Sequence, residues 1–388
     1  MRRLTAILLA LLSALALSVT RAADWPMDGH DPAATSYSAQ GFTPAQIARL
    51  HMAWRRTGFS AINTIVAGRY VYMLANNNGG ASRLLVIDAA SGRTLRTYTS
   101  QSLHLSQPAT PIGNGMQDLA YAGGRLVIAT IATVLAINPL TGHQYWRVNG
   151  GAQGLIIAAN IVYTGKGCQN PCGTLASYAI NLMTGHVLWT HHGNFGATPT
   201  LVLDHLFQGW GEMKGSTRIY DPLSGQLIGS IPYLGLWSGD ASHAYVDTGV
   251  NIMSGRFHAE LESLSPDGHI AWQVNLGRPN EIHPVVAAGT IYVPSDRFHP
   301  GMLAVNARNG RILWAADVGS GLQIAAAGRL VYAYSEQHCL LTVLDGRSGR
   351  ALRAWQPLSC QNGAGGAMIL SGNTLYVSNG DGLVAYRP

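Results

Sequence analysis

The chain has 388 residues, of which 47% are hydrophobic and 11% are charged, and its formal net charge is +6. The apolar content excludes an intrinsically disordered chain, and the low charged fraction with 46 glycines is typical of short strands joined by tight turns. The basic residues are scattered and nearly all arginine, so we expect neither nucleic-acid binding nor a polybasic membrane tether.

Residues 1–22 have the three parts of a secretory signal. Arg2 and Arg3 form a short basic start, residues 4–19 are almost wholly apolar, and Ala22 is a small residue just before the predicted cleavage site. An uncleaved anchor is the alternative, but the apolar run is short for a bilayer span and no cysteine follows it to carry a lipid. We predict export to the periplasm or the medium, no stable membrane anchor, and a single mature domain at 23–388.

A tight turn recurs in the mature chain at intervals of 39 to 50 residues. Each turn has a glycine after Ser, Thr, Asp or Asn, and these turn glycines are Gly92, Gly142, Gly185, Gly225, Gly268, Gly310 and Gly349. Apolar strands flank each turn, as at 135–138 and 144–148, which predicts an antiparallel hairpin. Upstream of each hairpin lie a strand rich in Tyr or Val, as at 161–163, and a stretch of small residues, as at 284–289.

Four strands per repeat of about 40 residues are typical of one blade of a β-propeller. The final repeat starts at 373–377, continues at 383–386 and lacks its fourth strand, which the N-terminal segment 50–55 can supply. We therefore predict an all-β fold, an eight-bladed β-propeller with four antiparallel strands per blade. Strands from both termini close its last blade, and we expect a monomeric ring.

The hairpins carry a spaced motif, Ala-x-Asn-x-x-x-Gly-x-x-x-Trp. It ends at Trp146, Trp189 and Trp314, and Trp272 keeps the second half of it. In other copies the Trp position holds a different residue, namely Arg96, Gly229 or Arg353. The motif resembles the repeat of the quinoprotein-type, or PQQ-like, propeller family, and the opening segment 24–38 is similar to that of quinoprotein dehydrogenases. The resemblance implies that the four tryptophans dock between neighbouring blades as core residues.

The resemblance also implies where a cofactor would bind. Quinoprotein dehydrogenases hold pyrroloquinoline quinone against a Trp, beside a calcium ion bound by Glu, Asn and Asp oxygens, with an Asp as base. By this resemblance Trp237, Asn280 and Glu281 are candidate cofactor-binding residues, and Asp240 is the candidate catalytic base. The adjacent cysteine pair of those enzymes and a Cys-x-x-Cys-His haem motif are absent from the sequence. We expect no cofactor, and pyrroloquinoline quinone with Ca²⁺ only if the chain is a dehydrogenase.

The two faces of a propeller carry different connections. The hairpin turns described above lie on one face, which we call the hairpin face, and the connections after the second and fourth strands lie on the opposite, loop face. Long insertions fall on the loop face, where binding residues concentrate. Polar residues near the inner strands are candidates for binding a small polar ligand, namely Gln107, Gln153, Asn194, His283, Gln323 and Asn362. The histidines are spread over several blades, so we expect no metal site.

The four cysteines of an exported chain favour disulfides. Cys168 and Cys172 enclose a short Gln-Asn-Pro loop, and a local disulfide is preferred to a metal site because no second pair has this spacing. Cys339 and Cys360 are the remaining predicted pair.

Three functional hypotheses follow from the sequence. The first is an exported, non-catalytic propeller that binds a protein partner or a small ligand on its loop face, resembling the propeller subunit of the outer-membrane protein assembly machinery. The second is a small quinone- and calcium-dependent dehydrogenase acting on alcohols or sugars. The third is a carbohydrate- or cell-surface-binding propeller that uses the loop aromatics Trp210, Phe257 and Phe298. No hydrolase motif or phosphate-binding loop is present in the sequence.

Overall fold

The computed structural model describes most of the chain, namely residues 24–76, 82–105, 116–130, 132–150, 152, 154–165, 176–193, 198–210, 216–231, 236–248, 259–265, 269–277, 284–298, 301–359 and 367–388. The predicted signal at 1–22 lies outside these residues. Among the residues that are described, no helix is long and apolar enough to cross a membrane.

Eight sheets, blades 1 to 8, make up the fold, and each contains four antiparallel strands, which confirms the predicted propeller. The first strands of neighbouring blades contact one another and so line the axis. Blades 1 to 4 contain β3 (Ser60–Ala67), β4 (Tyr70–Asn76), β5 (Ser82–Asp88) and β6 (Thr94–Thr99); β7 (Met116–Ala122), β8 (Arg125–Thr130), β9 (Thr133–Ile137) and β10 (Gln144–Asn149); β11 (Gly154–Ala158), β12 (Ile161–Gly165), β13 (Ala176–Asn181) and β14 (Val187–His192); and β15 (Thr200–Val202), β16 (His205–Trp210), β17 (Ser216–Tyr220) and β18 (Leu227–Ile231). Blades 5 to 7 contain β19 (Leu236–Gly239), β20 (Ala244–Asp247), β21 (Ala259–Leu264) and β22 (Ile270–Gly277); β23 (Val285–Ala287), β24 (Thr290–Ser295), β25 (Gly301–Asn306) and β26 (Ile312–Asp317); and β27 (Leu322–Ala327), β28 (Leu330–Ser335), β29 (Leu340–Asp345) and β30 (Ala351–Trp355).

Strands from the two ends of the chain form blade 8. It contains β31 (Met368–Ser371), β32 (Thr374–Asn379), β33 (Gly382–Arg387) and, as its outer strand, β2 (His51–Thr57). The strand β2 pairs antiparallel with β33, from His51 opposite Arg387 to Thr57 opposite Gly382. This pairing confirms the predicted closure and leaves blade 8 with the same four strands as the others.

Two short elements precede the closing strand. The strand β1 (Tyr37–Ser38) pairs in parallel with β27, on the axis side of blade 7. The helix α1 (Pro44–Arg49) begins at a capping box, in which Thr43 accepts a hydrogen bond from the Gln46 backbone N–H and the Gln46 side chain accepts one from the Thr43 N–H. This helix leads directly into β2 and so takes the place of a hairpin turn in blade 8.

A side-chain oxygen four residues before the turn glycine organises each described hairpin between third and fourth strands. Asp88 shows the pattern: its carboxylate accepts hydrogen bonds from the Ser91 N–H and hydroxyl and from Arg69. The Ser91 hydroxyl, followed by the Arg69 guanidinium, lowers the pKa of Asp88 to about 2. The same position is occupied in other blades by Asn138, Asn181, Asp221, Asn306 and Asp345.

Tryptophans on outer strands connect neighbouring blades at five of the junctions. Each indole N–H donates to the carbonyl three residues before the turn glycine of the next blade, at 2.7 to 3.1 Å; the tryptophans are Trp54, Trp146, Trp189, Trp272 and Trp314. Each turn glycine has a positive φ, and a Cβ added to it would lie only 2.5 to 2.8 Å from the docked ring. Glycine at the turn therefore serves both the hairpin and the packing of the blades.

Candidate functional site

The N-terminal segment 24–38 lies on the axis, at the hairpin face. The Trp25 N–H and C=O pair with Val66 of blade 1, and the Pro26 carbonyl accepts a hydrogen bond from the Tyr121 N–H of blade 2. The segment then contacts blades 4 to 7, through hydrogen bonds from Leu201, Ser238, Val286 and Ala326 to carbonyls between Pro32 and Ser36. The contacts with blades 1, 2, 5 and 7 fall in the half of the inner strand that leads into the hairpin face, and those with blades 4 and 6 fall at the middle residue of a three-residue strand. Sequence reasoning recognised this opening segment but did not place it on the axis.

Asp31 holds the segment in its shape. One carboxylate oxygen accepts hydrogen bonds from the N–H groups of Ala33 and Thr35, both at 3.1 Å, and the other accepts a short one from the Thr35 hydroxyl. His30 lies 3.3 Å from the same carboxylate, and its ring packs edge-on against Trp25 at 4.7 Å. These contacts support left-handed backbone at His30 and Ala34, which non-glycine residues seldom adopt.

Asp118 is a buried acid beside the axis that sequence reasoning missed. Its carboxylate accepts hydrogen bonds from Asn63 of blade 1 at 2.8 Å, from its neighbour Leu119 at 2.8 Å and from the Leu155 N–H of blade 3 at 2.7 Å. Burial, and then the charge of Asp28 in the N-terminal segment, raise the pKa of Asp118 well above its ordinary value. The sequence feature that could have pointed to this residue is an acidic side chain within a largely apolar inner strand. The residue ties three consecutive inner strands together.

Gln323 is the one predicted ligand-binding residue within the described part of the chain. It begins the inner strand of blade 7 at the loop face, and its amide donates to the Glu336 carboxylate at 3.1 Å. Beside it the Ser320 hydroxyl donates to Gln337 at 2.6 Å, and Ser335 lies 3.1 Å from the His338 ring. Gln337 and His338 are exposed, so blade 7 presents a polar cluster on the loop face.

Trp237 lies between blades and does not face the axis. Its side chain is 3% exposed, its ring packs on Phe207 of blade 4 at 4.6 Å, and its N–H donates to the Thr217 hydroxyl. Both the ring face and the N–H group of this indole are therefore engaged by other residues of the protein core.

Asp240 lies just beyond the inner strand of blade 5, in the turn at the hairpin face. Its carboxylate accepts hydrogen bonds from the N–H groups of Ser242 and His243 and from the Tyr245 hydroxyl at 2.8 Å. Burial, followed by the hydrogen bond to Asp240, raises the pKa of Tyr245. The carboxylate thus organises a turn on the hairpin face, at the end of the inner strand that is farther from the loop face.

As placed, Trp237 and Asp240 do not fit a quinone and calcium site, because their recognition groups are engaged inside the protein. Asn280 and Glu281 lie outside the described residues, so their cofactor-binding role stays a prediction. In the part of the chain that is described, no three His, Cys, Asp or Glu residues are grouped to hold a metal ion.

Most of the loop-face candidates lie outside the described residues: Gln107, Gln153, Asn194, His283 and Asn362, with Cys168, Cys172 and Cys360. Cys339 is disulfide-bonded, and its pairing with Cys360 stays a prediction. Of the three loop aromatics, Phe298 is 59% exposed next to the Arg297 guanidinium, Phe257 lies outside the described residues, and Trp210 ends β16.

Family and structure comparisons agree with this architecture. The sequence profile of the family described as outer membrane protein assembly factor BamB matches residues 80–235 and 258–388, which is most of the chain. The chain belongs to this family. This membership confirms the resemblance to PQQ-like propellers drawn from the repeat motif. No curated protein matches the sequence.

Solved structures with the same fold include enzymes and a member of the BamB family. Quinohemoprotein alcohol dehydrogenase ADHIIG from Pseudomonas putida HK5 superposes with a TM-score of 0.69 and 12% identity, over 95% of this chain and 80% of that chain. The quinohemoprotein alcohol dehydrogenase of Comamonas testosteroni gives 0.66 and 13%, over 94% and 80%. BamB from Moraxella catarrhalis gives 0.59 and 14%, over 87% and 97%. At these identities the likeness shows the propeller fold alone.

Proposed function

We propose that this protein is an exported, non-catalytic propeller that binds a protein partner on its loop face. The difference between the two ends of the axis carries the proposal. Segment 24–38 lies across the hairpin end and bonds to the inner strands of six blades, so a partner reaches the inner strands from the loop face.

The chemistry of the described loop face agrees with partner binding. Blade 7 presents Gln337 and His338, and blade 6 presents the exposed ring of Phe298 beside Arg297. Exposed aromatic rings and arginine are enriched at protein interfaces. Membership of the BamB family supports the same interpretation, because the family is described by its part in outer membrane protein assembly.

Site-specific photo-crosslinking in cells tests this proposal. A photoreactive residue at Gln337 reports on the loop face, and one at the exposed Arg308 on the hairpin face serves as the matched control. We expect a discrete adduct in the periplasmic or secreted fraction from position 337 and none from 308. Adducts of equal yield from both positions, or from 308 alone, would contradict loop-face binding.

The dehydrogenase alternative is tested separately by unfolding the mature protein with and without pyrroloquinoline quinone and Ca²⁺. A ligand at about 100 times its dissociation constant stabilises a fold by roughly 2.7 kcal/mol, which a melting curve resolves. We expect no shift, because Trp237 is engaged with Phe207 and Thr217 and Asp240 with its own turn. A calcium-dependent rise in the midpoint would instead favour the enzyme.

A further inference from the structure

A cavity of about 310 Å³ opens between blades 4 and 5. Its apolar walls come from Phe207, Ile219 and Ile231 of blade 4 and from Ala244 and Leu264 of blade 5, and the lining also includes the polar residues His205 and Ser230. Gly229, on the outer strand of blade 4, and Ser265, directly after the third strand of blade 5, also line the cavity. The cavity lies toward the hairpin face and the rim, away from the loop face of the proposed function.

Gly229 occupies the position that holds the docking tryptophan in five other blades. The equivalent outer strands of blades 3 and 6 contain Val187-Leu188-Trp189 and Ile312-Leu313-Trp314, and that of blade 4 contains Leu227-Ile228-Gly229. Ser265 is three residues before the turn glycine of blade 5, which is the position whose carbonyl accepts the indole N–H elsewhere. The cavity therefore lies where an indole lies at the other junctions.

The remaining two junctions are filled by other side chains. Tyr98 of blade 1 donates its hydroxyl to the Pro139 carbonyl at 3.1 Å, and a Cβ on Gly142 would lie 2.9 Å from its ring. The hollow beside it is lined by Arg93 and Arg96, so its chemistry is cationic. Arg353 of blade 7 donates to carbonyls of α1 and of Leu50. In the described part of the junction between blades 4 and 5, the outer strand of blade 4 has a glycine at the docking position, and the cavity lies beside it.

We propose that this cavity is a binding site for a flat aromatic ring of indole size supplied from outside the chain. Its volume is about twice that of the engineered apolar cavity, ~150 Å³, that takes up benzene. The apolar walls favour an aromatic ligand, and the opening leaves room for the group to which the ring is attached. Both a free indole-class molecule and a tryptophan side chain of a polypeptide present this chemistry.

Titration calorimetry with free indole tests the site on the mature protein. Gly229→Trp fills the cavity from its own strand: a Cβ at this position would meet only Ile219 Cδ1, at 3.8 Å, and the residue lacks a positive φ. Ile219→Phe narrows the cavity from the opposite wall and serves if Gly229→Trp does not fold, as judged by circular dichroism. Gly229→Ala is the matched control that leaves most of the space.

We expect saturable one-to-one binding to the wild type and to Gly229→Ala. In Gly229→Trp and Ile219→Phe the affinity should be weaker by a factor of about ten or more, a loss of at least about 1.4 kcal/mol. Equal binding to the wild type and the filled variants, or no saturable binding to any of them, would overturn the proposal. A pentapeptide with one central tryptophan, compared with its alanine counterpart, identifies the source of the ring. Tighter binding of the tryptophan peptide than of free indole assigns a polypeptide, and tighter binding of indole assigns a small molecule.

Discussion

The junction between blades 6 and 7 and the junction between blades 4 and 5 share a backbone plan but are filled differently. At the first, Trp314 lies opposite Ala304 across the hairpin, donates to the Gly346 carbonyl at 3.0 Å and packs on Gly349. At the second, Gly229 lies opposite Ile219 and leaves a cavity. Both positions follow a β-bulge, so the backbone prepares the same site whether or not an indole occupies it.

The comparison teaches that the docking residue and the residue paired with it across the hairpin change together. Each docking tryptophan lies opposite a small residue, namely Ala136, Ala179, Ser263, Ala304 or Ala385. Where the tryptophan is replaced, the neighbour is β-branched, namely Val86, Ile219 or Val343. A small residue leaves room for the indole, and a larger one recovers part of the apolar contact when the indole is missing. This explains why the repeat motif begins with Ala ten residues before Trp.

The largest expected effect comes from emptying a filled junction. Trp146 is buried, and its N–H donates to the Leu182 carbonyl at 2.7 Å. Trp146→Ala creates at that junction the gap that blade 4 has naturally, and removes the donor to a buried carbonyl. We expect the free energy of unfolding to fall by about 3–5 kcal/mol, measured by urea denaturation. Trp146→Phe, which keeps most of the ring, is the control with a smaller loss, and a loss below about 1 kcal/mol in Trp146→Ala would show that docking does not hold the ring together.

A substitution on the receiving blade acts on the same contact from the other side. A Cβ at Gly225 would lie 2.7 Å from the Trp189 ring, and the residue has a φ of 72°. Gly225→Ala therefore combines left-handed strain with displacement of the indole, and we expect a loss of about 2–4 kcal/mol. Gly372→Ala is the matched control, because Gly372 has a φ of 59° with no atom within 4 Å of the added Cβ, and should lose only about 1–2 kcal/mol. Equal losses in the two variants would exclude a steric role for the docked ring.

The junction between blades 7 and 8 offers a polar counterpart to the tryptophans. Arg353 donates from one guanidinium nitrogen to the Ile47 carbonyl at 2.8 Å and to the Leu50 carbonyl at 2.9 Å. Arg353→Met keeps the apolar stem but removes both hydrogen bonds, so we expect a loss of about 1–2 kcal/mol in the same denaturation assay. The end of α1 should also exchange amide hydrogens faster. Unchanged exchange at 47–50 would mean that Arg353 does not anchor the closing strand.

The fold was predictable from the sequence because its determinants repeat. Turn glycines with flanking apolar strands mark the blades, and segment 50–55 supplies the outer strand that the last repeat lacks. The axis was not predictable, since segment 24–38 has no repeat and it contacts six different blades through hydrogen bonds made by its own backbone. Trp237 shows a second reason: on a strand of four residues, the sequence cannot tell which side packs on Phe207 and which faces the axis.

The smallest expected effect concerns the turns that present the docking glycines. Asp88 has its pKa lowered to about 2 by Ser91 and Arg69, so it stabilises the fold above about pH 4, and this contribution is lost as the pH falls through about 2. Asn138 and Asn181 hold equivalent turns without a charge, so Asp88→Asn should keep the turn and lose only the ionic part. We expect a small loss of stability at neutral pH that shrinks on acidification, measured as the difference in urea midpoint from the wild type. Asp317→Asn, which removes an exposed carboxylate without touching a turn, is the control. If the difference for Asp88→Asn does not change with pH, the charge of Asp88 contributes nothing, and hydrogen bonding alone makes this turn equivalent to those built on asparagine.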